Sequence, residues 1–96
     1  MRLEDLIRAR RDEILSVAAR HGAYNVRVFG SLVRGEAHED SDVDLLVDME
    51  PGRSLLDHSE LLQDLQELLG RKVDVLTEGS IYWLLRRRIL REARPL

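Results

Sequence analysis

Apolar residues recur at Leu3, Leu6, Ile7, Ile14, Leu15 and Ala18, with Arg8, Arg11, Asp12 and Arg20 on the other face. That spacing predicts an amphipathic helix from Leu3 to about His21, closed by Gly22 as a left-handed cap. His21 beside the cap reads as a cation on the helix C-terminus. The period then changes to two: Asn25 to Phe29 alternates, Val26 and Val28 against Arg27, which predicts a short strand. Ser31 to Ala37 suits a short helix broken near Gly35, and His38-Glu39-Asp40-Ser41 is a polar connection. Val43 to Met49 is nearly continuous in apolar residues, the mark of a central strand covered on both faces, and Pro51-Gly52 closes it. From Ser54 to Leu69 the leucines make the strongest helical pattern of the chain, with Ser54 as N-cap and Gly70 as stop. Lys72 to Leu76 reads as a third strand. Ile81, Leu84, Leu85 and Ile89 mark a last helix that ends before Pro95, with Arg86, Arg87, Arg88 and Arg91 mostly outside the stripe. Tyr82 and Trp83 on that helix are assigned to the small core in preference to an interface, and His38 and His58 to exposed positions without partners.

Three short strands with helices around them make a two-layer α/β (α+β) domain. A helix joins the second strand to the third, so that pair is parallel with a right-handed crossover. The connection from Ser31 to Asp42 is short, and only an antiparallel pairing sets the end of strand one beside the start of strand two. The expected order is 1-2-3. Gly30, Ser31, Asp42, Asp44 and Asp74 then gather at one end of the sheet.

Composition narrows the classes. At 96 residues the chain reads as one domain, residues 1–96, with a small core and little room for a second, substrate-selecting domain. Fifteen Lys and Arg against eighteen Asp and Glu give a formal charge of -3, so the overall field favours neither nucleic acid nor an anionic membrane. Cysteine is absent, which removes a disulfide framework, a thiolate nucleophile and a Cys-type zinc site. The start, Met1-Arg2-Leu3-Glu4-Asp5, mixes charges, and no apolar run approaches the ~20 residues that span a bilayer. A cytoplasmic protein is expected.

Residues two apart in a strand share a face, with Cα atoms ~6.6 Å apart, so Asp42 and Asp44 can share one divalent cation or hold two. Asp74, flanked by Val73 and Val75, can complete the second metal's shell and draw an acceptor hydroxyl toward deprotonation. An acidic group in that apolar strand carries a desolvation cost unless something compensates it. Oxygen ligands without His or Cys favour magnesium, with manganese as the substitute. Gly30 removes a Cβ where backbone must approach a phosphate, and Ser31 offers a hydroxyl at the start of a helix whose free N–H groups favour an anion. Arg34 is open to two roles, a phosphate contact or pairing with Glu36 or Glu39. A Gly-Ser is by itself usually a turn, and an Asp-x-Asp a solvated strand end; their spacing and the third Asp are what point to a triphosphate and its metals.

Phe29-Gly30-Ser31, Arg34-Gly35-Glu36-Ala37, Ser41-Asp42-Val43-Asp44-Leu45-Leu46-Val47 and later Val73-Asp74-Val75 resemble the DNA-polymerase-beta-type nucleotidyltransferase superfamily. Within it the fuller wording is similar to the minimal nucleotidyltransferases paired with HEPN-domain toxins. The resemblance implies the two-layer polymerase-beta-like fold and transfer of AMP from ATP, with Mg2+, to a hydroxyl, with loss of pyrophosphate. By it Gly30 and Ser31 would hold the triphosphate, with Arg34 as the further nucleotide-binding candidate from its own position; Asp42, Asp44 and Asp74 would be catalytic and hold metal, Asp74 also meeting the acceptor. It also implies an antitoxin that masks a HEPN ribonuclease or adenylylates a tyrosine on it, in a hetero-complex or a homo-oligomer. Two alternatives stay open: neutralisation by occlusion alone, and transfer to a small molecule. A nucleic-acid contact through Arg86 to Arg91 is the least supported, because charge runs on amphipathic helices usually face solvent or a partner.

Overall fold

The computed structural model describes residues 2–38 and 40–96. Helices α1 (Leu3–Ala9) and α2 (Arg11–Arg20) lead into β1 (Ala23–Phe29), the short α3 (Ser31–Arg34), β2 (Val43–Met49), α4 (Leu55–Leu69), β3 (Val73–Leu76), α5 (Trp83–Glu92) and β4 (Arg94–Pro95). The sheet runs β3-β2-β1-β4, so the expected 1-2-3 order is present and a fourth strand extends it. β1 is antiparallel to β2, and β2 parallel to β3. The connectivity argument therefore holds at both steps.

Alternation along β2 divides the interior into two cores. Val43, Leu45 and Val47 face α1, α2 and α4, where Ile14, Leu61 and Leu65 are also sealed from solvent. Each such side chain contributes about 1.5–3 kcal/mol of burial. Leu46 points the other way, into a smaller cluster with Phe29, Ile81 and Ile89 under α5. At α4, Ser54 stands at the N-cap with its backbone N–H donating to Asp57 at 2.8 Å, and Gly70 at φ 65 ends the helix. Among the described residues no helix is long and apolar enough to cross a membrane.

Several boundaries differ from the sequence reading. The first helix is two, bent at Arg10 (φ -101, ψ 9) without glycine or proline, which lets Leu3 and Ile7 reach the same core as Ile14 and Val17. β1 starts two residues earlier, at Ala23. It carries an irregularity between Tyr24 and Arg27, where Asn25 sits at φ 50 and its amide donates to Asp48 at 2.9 Å. The last helix ends as expected before Pro95, but Arg94–Pro95 then pairs with β1.

The expected placements of Tyr82, Trp83 and His58 are corrected, and that of His21 is extended. Tyr82 and Trp83 are 60% and 72% exposed, and Leu84 and Leu85 are exposed beside them. The cluster beneath α5 is small enough for Ile81 and Ile89 to fill its share of the contact, so the first turn of the helix has no apolar surface to cover. His58 has a partner: its Nε2 donates to the Val75 carbonyl at 2.7 Å, tying α4 to β3. His21 adds to its place at the α2 terminus a 2.7 Å contact from Nε2 to Asp64 on α4.

Candidate active site

The geometry starts with strand register. Asp44 is the Cα partner of Asp74 across the parallel β2–β3 ladder and of Phe29 across the antiparallel β1–β2 ladder. Two carboxylates thus stand side by side on the α5 face of the sheet, next to the residue that precedes Gly30. With Gly30, Arg34, Leu76, Leu85, Arg88 and Glu92 they line a cleft of about 470 Å³ between the sheet and α5.

Burial falls unevenly on the pair. β3 is an edge strand and Asp74 is exposed, so the desolvation expected for Asp74 does not arise there. It falls on half-buried Asp44, in an inner strand. Desolvation, then the facing Asp74 and the charge of Asp42, push the Asp44 carboxyl up to about 6, with Arg34 opposing. Neither Asp44 nor Asp74 has a Lys or Arg at ion-pair distance among the described residues.

Asp42 is not brought into this cleft. It precedes the first residue of β2, so strand alternation does not govern it; its Oδ2 lies 3.9 Å from Lys72 Nζ, on a neighbouring concavity with Leu6 and Ser41. Ser31 is half-buried at the start of α3, and the backbone N–H groups of Val33 and Arg34 donate to the Gly30 carbonyl. Gly30 has φ 80 and ψ -149, and a Cβ there would overlap Asp44 Oδ2 and come within 3.2 Å of its Cγ. The glycine therefore makes room for the Asp44 carboxylate, a reason different from the phosphate approach expected of it.

Arg34 takes the pairing role in this structure. It donates to Glu36 at 3.2 Å and through Nη1 to both oxygens of Glu92 at 3.0 and 3.1 Å; Glu39, the other expected partner, lies outside the described residues. These bonds, Glu92 first, raise the guanidinium pKa further. Glu92 was not singled out by the sequence. It also accepts from Arg88 Nε at 3.2 Å and from the Gly30 N–H at 3.3 Å. Desolvation pushes its carboxyl up, but the bonds from Arg34 and Arg88 outweigh that and hold it below the ordinary range. Only a residue number 62 positions away in sequence links it to Gly30, and no short motif contains both.

The donor set suits a hard divalent cation. Two acceptor-only carboxylates face one another without a protein cation between them. No group of three or more carboxylate or imidazole ligands converges among the described residues. Magnesium commonly takes one or two carboxylates and completes its shell with water and substrate phosphates, so the pair matches a metal that arrives with a nucleotide.

A family model described as nucleotidyltransferase domain matches residues 11–96. The chain belongs to that family. As a nucleotidyltransferase it acts on a nucleotide substrate. It is 43% identical over 90 residues to the protein adenylyltransferase MntA of Thermococcus cleftensis, covering 94% of this chain and 88% of that one. A solved structure of a candidate minimal nucleotidyltransferase is 58% identical, superposes with a TM-score of 0.85, and the match spans all of this chain and 97% of the other. A toxin–antitoxin crystal structure with AMP-PNP superposes with a TM-score of 0.73 over 88% of this chain and 69% of that one; at 22% identity this likeness concerns the fold alone.

Proposed function

We propose that this nucleotidyltransferase moves AMP from ATP to a hydroxyl, that of a tyrosine, on a HEPN-domain toxin in the cytoplasm, and so acts as an antitoxin. The observation that carries the reading is the Asp44–Asp74 pair beside Gly30 and Arg34 in one cleft, in a chain 43% identical to a protein adenylyltransferase. Gly30, Ser31 and Arg34 take the triphosphate. Asp44 and Asp74 would hold Mg2+; half-exposed Asp42, which faces Lys72 outside the cleft, acts on the pair through its charge. When bound, the metal neutralises the charge that develops on the phosphates. Asp74, open to solvent at the sheet edge, accepts the proton of the incoming hydroxyl, whose oxygen bonds to the α-phosphorus as the bond to pyrophosphate breaks and pyrophosphate leaves.

A protein acceptor is supported by the surface around the cleft. Leu85 lines it, and Tyr82, Trp83 and Leu84 continue from there as exposed apolar surface on α5. Patches of this kind on a small domain mark docking sites. The arginine run also has internal duties, since Arg86 donates to the Glu78 carbonyl at 2.6 Å and Arg88 to Glu92. That leaves fewer free cations for a nucleic acid.

The test is transfer of α-labelled AMP from ATP with magnesium to a co-expressed HEPN partner. Label on the partner, lost in Asp42→Asn/Asp44→Asn, is the expected result. A stable complex that never acquires label, and is neutralised equally by that double variant, would favour occlusion and refute the enzymatic reading.

A further inference from the structure

Two of the three groups assigned to the triphosphate, Gly30 and Arg34, are already engaged by an anion of the protein itself. Glu92 closes α5, and its side chain is 17% exposed. One of its oxygens takes Arg34 Nη1 and Arg88 Nε; the other takes Arg34 Nη1 and the Gly30 N–H. A carboxylate held between a guanidinium and a backbone amide uses the same donors that a phosphate oxygen would use. All four groups line the cleft that contains Asp44 and Asp74.

We infer that Glu92 is an internal competitor for the triphosphate, an autoinhibitory latch that nucleotide must displace; this rests on the nucleotide-site reading above. The alternative is that Glu92 only anchors α5. The helix, however, has other anchors: Ile81 and Ile89 are buried against Phe29 and Leu46, and Arg94–Pro95 and the Leu96 N–H are paired to β1. Release of Glu92 therefore frees Arg34 Nη1 and the Gly30 amide without undocking α5, while Arg34 Nε keeps its bond to Glu36. Arg88, no longer held by Glu92, becomes a second cation on the cleft wall beside Arg34.

A competitor and an anchor predict opposite results. With calorimetric titration of magnesium-ATP and, separately, of inorganic tripolyphosphate, Glu92→Gln and Glu92→Ala should bind both about five- to tenfold more tightly than wild type, the worth of one partly exposed charge-assisted contact removed. Adenosine affinity should not move. In an Arg34→Ala background, Glu92→Gln should lose most of its effect, a non-additivity that a purely structural role does not produce. Circular dichroism melts check that each variant is folded. If wild type binds ATP and Ser31→Ala weakens it, but both folded Glu92 variants bind ATP as wild type does or more weakly, the latch is refuted and the site reading stands. If neither wild type nor Glu92→Gln binds ATP or tripolyphosphate, both are refuted.

Discussion

Replacing Gly30 with alanine separates a backbone requirement from a catalytic one, because Gly35 supplies an internal control. Gly35 has φ 74 and ψ 17, and a Cβ there meets nothing within 4 Å, so Gly35→Ala carries only the left-handed backbone cost of about 1–2 kcal/mol. Gly30 sits at φ 80 and ψ -149, a region open essentially to glycine alone, where the cost is about 1–3 kcal/mol. Its added Cβ also overlaps Asp44 Oδ2, and turning that side chain off its rotamer costs about 0.5–1.5 kcal/mol more. The middle of these ranges for Gly30→Ala is about 3 kcal/mol, or roughly 12–24 °C in melting temperature for a chain of this size, against about 1.5 kcal/mol, or roughly 6–12 °C, for Gly35→Ala. Thermal melts read the first difference. At a temperature where both variants are folded, labelled transfer reads the second: Gly35→Ala should retain it and Gly30→Ala should lose it, because the displaced carboxylate is Asp44. Equal melting points, or full transfer by folded Gly30→Ala, would refute this account of the glycine.

Asp74→Ala should keep ATP affinity within a few-fold by titration while transfer falls by about 10²-fold or more, since the lost group handles the acceptor proton; undiminished transfer would remove Asp74 from the reaction. Trp83→Ala should leave stability within about 0.5 kcal/mol, because the side chain is already in solvent, yet weaken a HEPN partner's binding by tenfold or more in a pull-down or surface titration. Asp57→Ala should destabilise α4, because the hydrogen bond from the Ser54 backbone holds that carboxyl below its ordinary value. A carboxyl lowered in the folded state stabilises above its unfolded pKa and ceases to do so as pH falls through the folded one. The gap in urea midpoint between wild type and variant should thus be widest at neutral pH and close below about pH 3.9; a gap independent of pH would show the charge to be idle.

Long periodic segments were legible in the sequence, and so was the topology they imply. β2 has the bounds its apolar run suggests, and α4 begins after Ser54 and ends at Gly70 as their capping chemistry requires. The parallel β2–β3 step that sets Asp44 opposite Asp74 followed from one helix lying between two strands. β4 was not legible: two residues, one of them a proline, carry no alternation, and their pairing with β1 is available only because the sheet edge is open there.

The balance of the site was misjudged for a related reason. Flanking valines made Asp74 look like the desolvated carboxylate, but residue neighbours in a strand report the opposite face, not the lateral one. Lateral burial comes from strand order, and β3 is at the edge while β2 has a strand on each side. The desolvated group is therefore Asp44, and its inner position is what makes Gly30 necessary. The same limit concealed Glu92. Helical spacing placed it on α5, but its meaning depends on where the end of α5 meets the Gly30 turn, a contact between parts of the chain 62 residues apart. Charges that act through the sheet and its covering helix, unlike those within one strand, become readable only once strand order is known.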